Sequence, residues 1–368
     1  MNCVEDPREF ATLELEWDEL LASSSAAGPF LRWEWLYPWW QHLAGAARLK
    51  LLTVRAAGGA LVALAPLCVT RDPLTRFSRL EFLGTGFAGS DYLDVIARRG
   101  WESEALQAVA AALAEWRLAL RLRHLAPGAL ASRLPGHLGA PGWIAATSRI
   151  AICPFIRLQG HTWDSYLGTL GANHRANVRR RLRAIDKTFQ VQLERATTER
   201  ERVDALNALI GFHDQRWGAE RGTAFHTPAL RAFHDEATRL ALRQGTLRLF
   251  TLRLDGVIAA AMYGFLVNRT FYFYQHGFEP RFQQFSAGLA LMALTIRAAI
   301  DEGADEFDML YGDESYKALW SHDHRPLEQV EAFPPHFAGR LHRHTVDAER
   351  RVRHLAKRIL VRGGQRAS

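Results

Sequence analysis

Apolar and polar positions change rhythm twice along this chain, and the elements follow from those changes. Residues 245–278 form three short runs, GTLRLFTLRL, GVIAAAMYGFLV and RTFYFYQHGF, broken by Asp255-Gly256 and Asn268-Arg269. Two-residue breaks of this kind between β-branched and aromatic runs predict tight hairpin turns and an antiparallel meander. SAGLALMALTIRAAIDEG (286–303) then carries apolar residues at helical spacing and closes on Gly303, a glycine stop. DEFDML (305–310) predicts a short buried strand, ESYKALW (314–320) a turn or two of helix, and LEQVEAF (327–333) a last strand. Upstream, RIAICPFIRL (149–158) and FQVQLERA (189–196) predict strands, with helices over 161–170, 172–185, 199–217 and 227–243.

The first half shows a looser version of the same order. Helical spacing covers 15–25 and 30–43, and a hairpin spans 49–70 with Gly58-Gly59 at its turn. Strands follow at 79–84 and 90–97, then a strong helix at 101–116 and a strand at 118–125. The Pro- and Gly-rich stretch 126–143 reads as a connection. Strand, helices, meander, helix, strand is the order of a mixed α/β (α+β) domain with a mostly antiparallel sheet, not of a doubly wound parallel one. The expected units are residues 1–145, 146–335 and a basic tail, 336–368. A length of 368 residues suits two cores. The Trp33, Trp35, Trp39 and Trp40 set is read as core.

The net charge of +7 sits in one place. From residue 336 onward there are nine Arg or Lys against two acids, so the preceding 335 residues balance to zero. A global electrostatic argument for nucleic acid therefore fails, and nucleic acid is not an expected partner. Leu341, Thr345, Ala348, Val352, Leu355 and Ile359 recur at spacings of four and three. That seam is expected to pack on the body or on a twin subunit, with an anionic membrane surface as the alternative. Cys3, Cys68 and Cys153 lack CxxC spacing and suit free thiols in a reducing compartment. No apolar run approaches the roughly 20 residues of a membrane span. Together with the acidic start MNCVEDPREF, this makes a cytoplasmic location the expectation.

Several segments carry a resemblance. YFYQHGFEP (272–280), Ser286-Ala287-Gly288 at a helix start, Phe307-Asp308, Gly312-Asp313-Glu314 and Tyr316-Lys317 stand in an order that resembles bacterial acyltransferases of the GNAT superfamily. The type resembled is CelD/BcsL (BioF2-like), related to the FemAB peptidyltransferases. Residues 173–183 and 213–217 add weaker support. The likeness is good over 150–332 and faint before, where only FLRWEWL and SDYLD are familiar. It implies tandem GNAT-like domains with the acyl donor on the second.

Acyl transfer needs a bound thioester, a neutral nucleophile, an oxyanion donor and a proton for the leaving thiolate. The resemblance implies acyl-CoA as donor, its pyrophosphate on the amides of Gln283, Gln284, Ser286, Ala287 and Gly288, where a helix start favours anions. Ser286 stands where the superfamily has glycine and would also serve as a side-chain N-cap. That departure leaves aminoacyl-tRNA open as the donor, or a binding protein without catalysis. Strand 305–310 is expected to splay from 269–278, so that residues past Leu310 open onto the reacting centre. Asp313 or Glu314 would then act as base or bind an ammonium, Tyr311 or Tyr316 would protonate a thiolate, and Lys317 would hold a phosphate or carboxylate. His276 is a further candidate base. Asp91 and Tyr92, after GTGFAGS, and Arg175, Arg179 and Trp217 are candidates for the acceptor side, a small molecule or glycan precursor. No metal is expected; the HDH of 322–324 is too weak a ligand pattern.

Overall fold

The meander turns form as their residues require. Asp255 and Gly256 have φ of 50° and 79°, and Asn268 and Arg269 have 48° and 61°, so both turns place two residues in the left-handed region. The computed structural model describes residues 1–346 and 348, apart from 27, 73–74, 139–141, 218–223 and the side chain of 217.

The described strands are β1 (Asn2–Val4), β2 (Arg48–Arg55), β3 (Leu61–Arg71), β4 (Ser78–Phe82), β5 (Ile96–Ala97), β6 (Ala119–Leu125) and β7 (Ile144–Arg157) in the first part. They continue with β8 (Val191–Arg195), β9 (Leu247–Leu254), β10 (Val257–Val267), β11 (Thr270–Phe278), β12 (Glu306–Asp308) and β13 (Asp323–Phe333). All belong to one sheet, ordered β1-β2-β3-β4-β6-β13-β7-β12-β11-β10-β9-β8, with β5 beside β3. The sheet is mixed: β4–β6 and β11–β12 are parallel, the other pairs antiparallel. Fold class is therefore as the pattern predicts, a mixed α/β architecture with helices against a mostly antiparallel sheet.

Two differences matter. β7 and β13 are longer than their apolar runs suggest and pair from Asp323–Phe155 to Phe333–Ile144. β13 also pairs with β6, so the last strand lies between the two halves and the sheet is unbroken across them. Trp35 lies in the core as expected, against Phe233, Phe265 and Tyr274 of the second half. The second difference is the tail. Its described helix, 337–346, buries Gly339, His342 and Val346, while Leu341 is 44% exposed. The expected seam faces away from the body at its first position; Val352, Leu355 and Ile359 lie outside the described residues.

Candidate active site

β11 and β12 run together for three residue pairs only, Thr270 with Glu306, Phe271 with Phe307 and Tyr272 with Asp308. Beyond Asp308 the chain turns away. Leu310 takes φ 55° and Gly312 φ 132°, and the amides of Met309 and Gly312 donate to Pro154 and Ile152 carbonyls at 2.9 and 3.3 Å. β11 continues to Phe278, so from Phe273 its edge on that side has no strand partner. The strands part as the sequence leads one to expect, leaving a cavity of about 550 Å³. β11 is also bulged here: Tyr263 pairs with Gln275 but Gly264 with Phe273, leaving Tyr274 extra. Such bulges re-aim side chains next to sites. Gly264 permits it, because a Cβ there would lie 2.5 Å from the Tyr272 carbonyl oxygen.

Six of the residues singled out in the sequence line this cavity: Asp91, His276, Tyr311, Glu314, Tyr316 and Lys317. His276 is half-buried with its ring 5.6 Å from that of Tyr316. Loss of hydration, then His213, Arg216 and Lys317, push its pKa down to about 4, so the imidazole is neutral at pH 7. Burial raises the Tyr316 phenol, which keeps its proton. Lys317 lines the cavity but is already engaged, not free to hold a phosphate or carboxylate as the sequence leads one to expect. It is 3% exposed, donates to the Tyr311 carbonyl at 2.9 Å and pairs with Glu314 at 3.0 Å, bracing the turn between them. Asp313 is exposed and lies off the cavity wall.

Two carboxylates tie this turn to the first half. Asp91 Oδ2 accepts from the Tyr311 amide at 2.8 Å, and its Oδ1 lies 2.7 Å from His124 Nδ1. Asp308, fully buried, accepts from the Leu310 amide and from Tyr92 Oη, both at 2.7 Å, with Arg325 Nε 3.8 Å away. Tyr92, His124 and Leu310 all have φ between 55° and 60°, a strained region for residues with a Cβ. Three such residues around two carboxylates mark an over-determined junction. Tyr92 accordingly does not line the cavity. It lines a second one of about 560 Å³ with Tyr272 and Arg325. Desolvation raises the Asp308 pKa to about 7 against the pull of Arg325 and Tyr92.

The helix Ala287–Asp301 starts just past β11. Ser286 is left-handed (φ 61°, ψ 42°) and makes no side-chain cap, which corrects the N-cap reading and shows why glycine suits that position. The first helical amide, Ala290, donates to Ser286 at 3.0 Å, so those of Ala287, Gly288 and Leu289 lie ahead of the ladder. No acid occupies this first turn. Gly288 makes room for Phe278, whose ring would stand 3.1 Å from a Cβ. Gln283 and Gln284 are exposed, and Arg181 reaches the Gln284 carbonyl at 3.5 Å. Arg175 instead closes its own preceding turn on the Gly168 carbonyl at 3.0 Å, and Arg179 is 3.7 Å from Asp164. Neither meets the cavity. The Trp217 side chain lies outside the described residues, but its neighbour Arg216 lines the wall.

Sequence reasoning missed Asp308, His213 and Arg216 as site residues. Asp308 had a signal, an acid inside an otherwise apolar strand run. His213 Nε2 lies 3.1 Å from the His276 carbonyl oxygen, a contact no spacing reveals. Among the described residues, no group of three or more His, Cys, Asp or Glu is placed to hold a metal, and no helix is long and apolar enough to cross a membrane.

Residues 172–318 match the family model of the acetyltransferase (GNAT) domain. FemX shares the fold with a TM-score of 0.60 at 12% identity, over 90% of this chain and 97% of its own. A C-terminal domain assigned to a lysylphosphatidylglycerol synthetase of Agrobacterium fabrum follows at 0.55 and 12%, over 88% and 92%. L-PGS from Bacillus licheniformis gives 0.54 and 12%, over 89% and 91%. No curated protein matches the chain in sequence.

Proposed function

We propose that the protein transfers an acyl group from a thioester, acyl-CoA, directly to an amine or hydroxyl of a polar acceptor such as a small molecule or an envelope or polysaccharide precursor. The observation that carries the reading is the cavity between β11 and the 309–312 turn, walled by both halves and by the unpaired edge of β11. Strand-edge amides aimed into a desolvated gap are suited to a developing oxyanion. His276 fits the base better than Asp313 or Glu314, since one is off the wall and the other is paired with Lys317. Its neutral imidazole takes the acceptor's proton as the nucleophile adds to the thioester carbon. The carbon–sulfur bond then breaks, the Tyr316 hydroxyl on the same wall protonates the thiolate, and the proton held by His276 passes to the tyrosinate, restoring both side chains. Ala287 is fully buried, so the free amides of Gly288 and Leu289 would hold the donor's pyrophosphate. A cytoplasmic site of action goes with this donor.

The decisive experiment is a thermal-shift titration with coenzyme A and short acyl-CoAs, followed by thiol release against a panel of amines. Ligand at 100 times its Kd adds about 2.7 kcal/mol to folded-state stability. No shift with any CoA species overturns the acyl-CoA donor. One observation favours a second reading, an aminoacyl-tRNA donor. FemX and the synthetase domain share the fold, and the arginine-rich helix Ala172–Thr188 reaches the Ala287 helix start through Arg181. That reading requires activity to collapse with RNase and with added salt.

A further inference from the structure

The helix over 337–346 touches the body along one stripe and presents another to solvent. On the packed side the His342 ring stacks on Phe77 with centroids 4.8 Å apart and meets Phe333 edge-on at 5.5 Å. On the other side Phe337 is 81% exposed and Leu341 44%. Four residues apart, they fall on one line of the helix, flanked by exposed Arg340 and His344. In the sequence, Thr345, Ala348, Val352, Leu355 and Ile359 follow Leu341 at spacings of four and three. From residue 336 to the last residue, nine Arg or Lys stand against only two acids.

The apolar line calls for an apolar cover, and the charge calls for an anionic one. A second copy of this chain would bring the same positive charge to the contact and be repelled. The boundary of an anionic bilayer offers both properties at once. We propose that this face is a membrane-docking surface. Phe337 and Leu341 enter the layer between headgroups and acyl chains of anionic phospholipid, and the flanking Arg340 meets the phosphates. The buried stripe Gly339, His342 and Val346 keeps the body attached to the docked helix. The inference concerns a surface outside the cavity and stands whether or not the acyl-transfer reading holds.

Co-sedimentation of the full chain with vesicles tests it. Vesicles of phosphatidylglycerol and phosphatidylcholine in equal parts should bind at least about twentyfold more tightly than phosphatidylcholine alone, since each basic side chain near such a surface is worth about fivefold. Binding should be lost by about 0.5 M salt. The double variant Phe337→Ser, Leu341→Ser should weaken it about tenfold, at unchanged Tm because both side chains are exposed. In Phe337→Trp, the new indole should shift to the blue and be quenched by brominated acyl chains with anionic vesicles only. Equal partition onto both vesicle types, an unaffected double variant or an unquenched indole would overturn the proposal. So would retention on RNA with no vesicle binding, or a dimer that the double variant dissolves.

Discussion

The two halves of the sheet contain the same kind of joint, a short parallel pair followed by divergence, yet only one opens onto the candidate site. In the first half β4 and β6 pair in parallel at Arg79–Ala119 and Leu80–Leu120, next to a cavity of about 310 Å³. Ion pairs occupy it: Arg79 meets Glu81 at 3.0 Å and Asp72 at 3.1 Å, and Glu81 accepts from Thr70 at 2.6 Å. The helix that follows, Glu102–Trp116, opens with Glu102 and Glu104, which oppose any anion at its start. In the second half the gap is larger, one strand edge is left unpaired, and the helix start carries no acid. What sets the candidate site apart from this common joint is what is left out of it.

The comparison predicts where damage should concentrate. His276→Ala should lower turnover by about 10²–10⁴-fold with Tm near the parent value, the range for losing a general base; thiol-release kinetics would show it. Loss of fold in step with activity would return His276 to a packing role. Gly264→Ala should cost about 3 kcal/mol or more by chemical denaturation, because the bulge leaves no room for a Cβ. A parent-like stability would mean that β11 tolerates an unbulged register.

Asp308→Asn addresses the junction. With a folded pKa near 7 against an ordinary value near 3.8, native Asp308 holds its proton more tightly than the unfolded chain does. Its contribution therefore weakens stability progressively as pH rises from about 4 to about 7, by a few kcal/mol in total. Relative to the parent, the Asn variant should gain stability over that window, as read by Tm at a series of pH values. A constant difference would place the titration elsewhere. The smallest effect is expected for Ser286→Gly, which should stabilise by about 0.5–1 kcal/mol by relieving the left-handed backbone while leaving donor affinity intact.

Local signals carried far into this fold. Asp255-Gly256 and Asn268-Arg269 fixed the meander turns, Gly303 the helix end, and the acids and tyrosines after Leu310 the neighbourhood of the cavity. What stayed hidden depends on partners distant in sequence. Asp308 owes its role to Tyr92 and Arg325, and Lys317 is buried because the Leu310 and Tyr311 carbonyls turn toward it. The left-handed turn at Leu310 is held by Asp308, and nearby Tyr311 by Asp91. Residue type offers no sign of such obligations. The tail's seam can be followed only at its start, where Leu341 is exposed, because spacing alone does not say which side of a helix the body takes.

The position of β13 has a consequence for how the molecule is made. Residues 323–333 fill the slot between β6 and β7, strands that leave the ribosome more than a hundred and sixty residues earlier. Until they arrive, two long hydrogen-bonding edges wait unmatched in the nascent chain, open to pairing with a neighbour. Biogenesis should thus be slow to commit and sensitive to any stop codon upstream of Asp323.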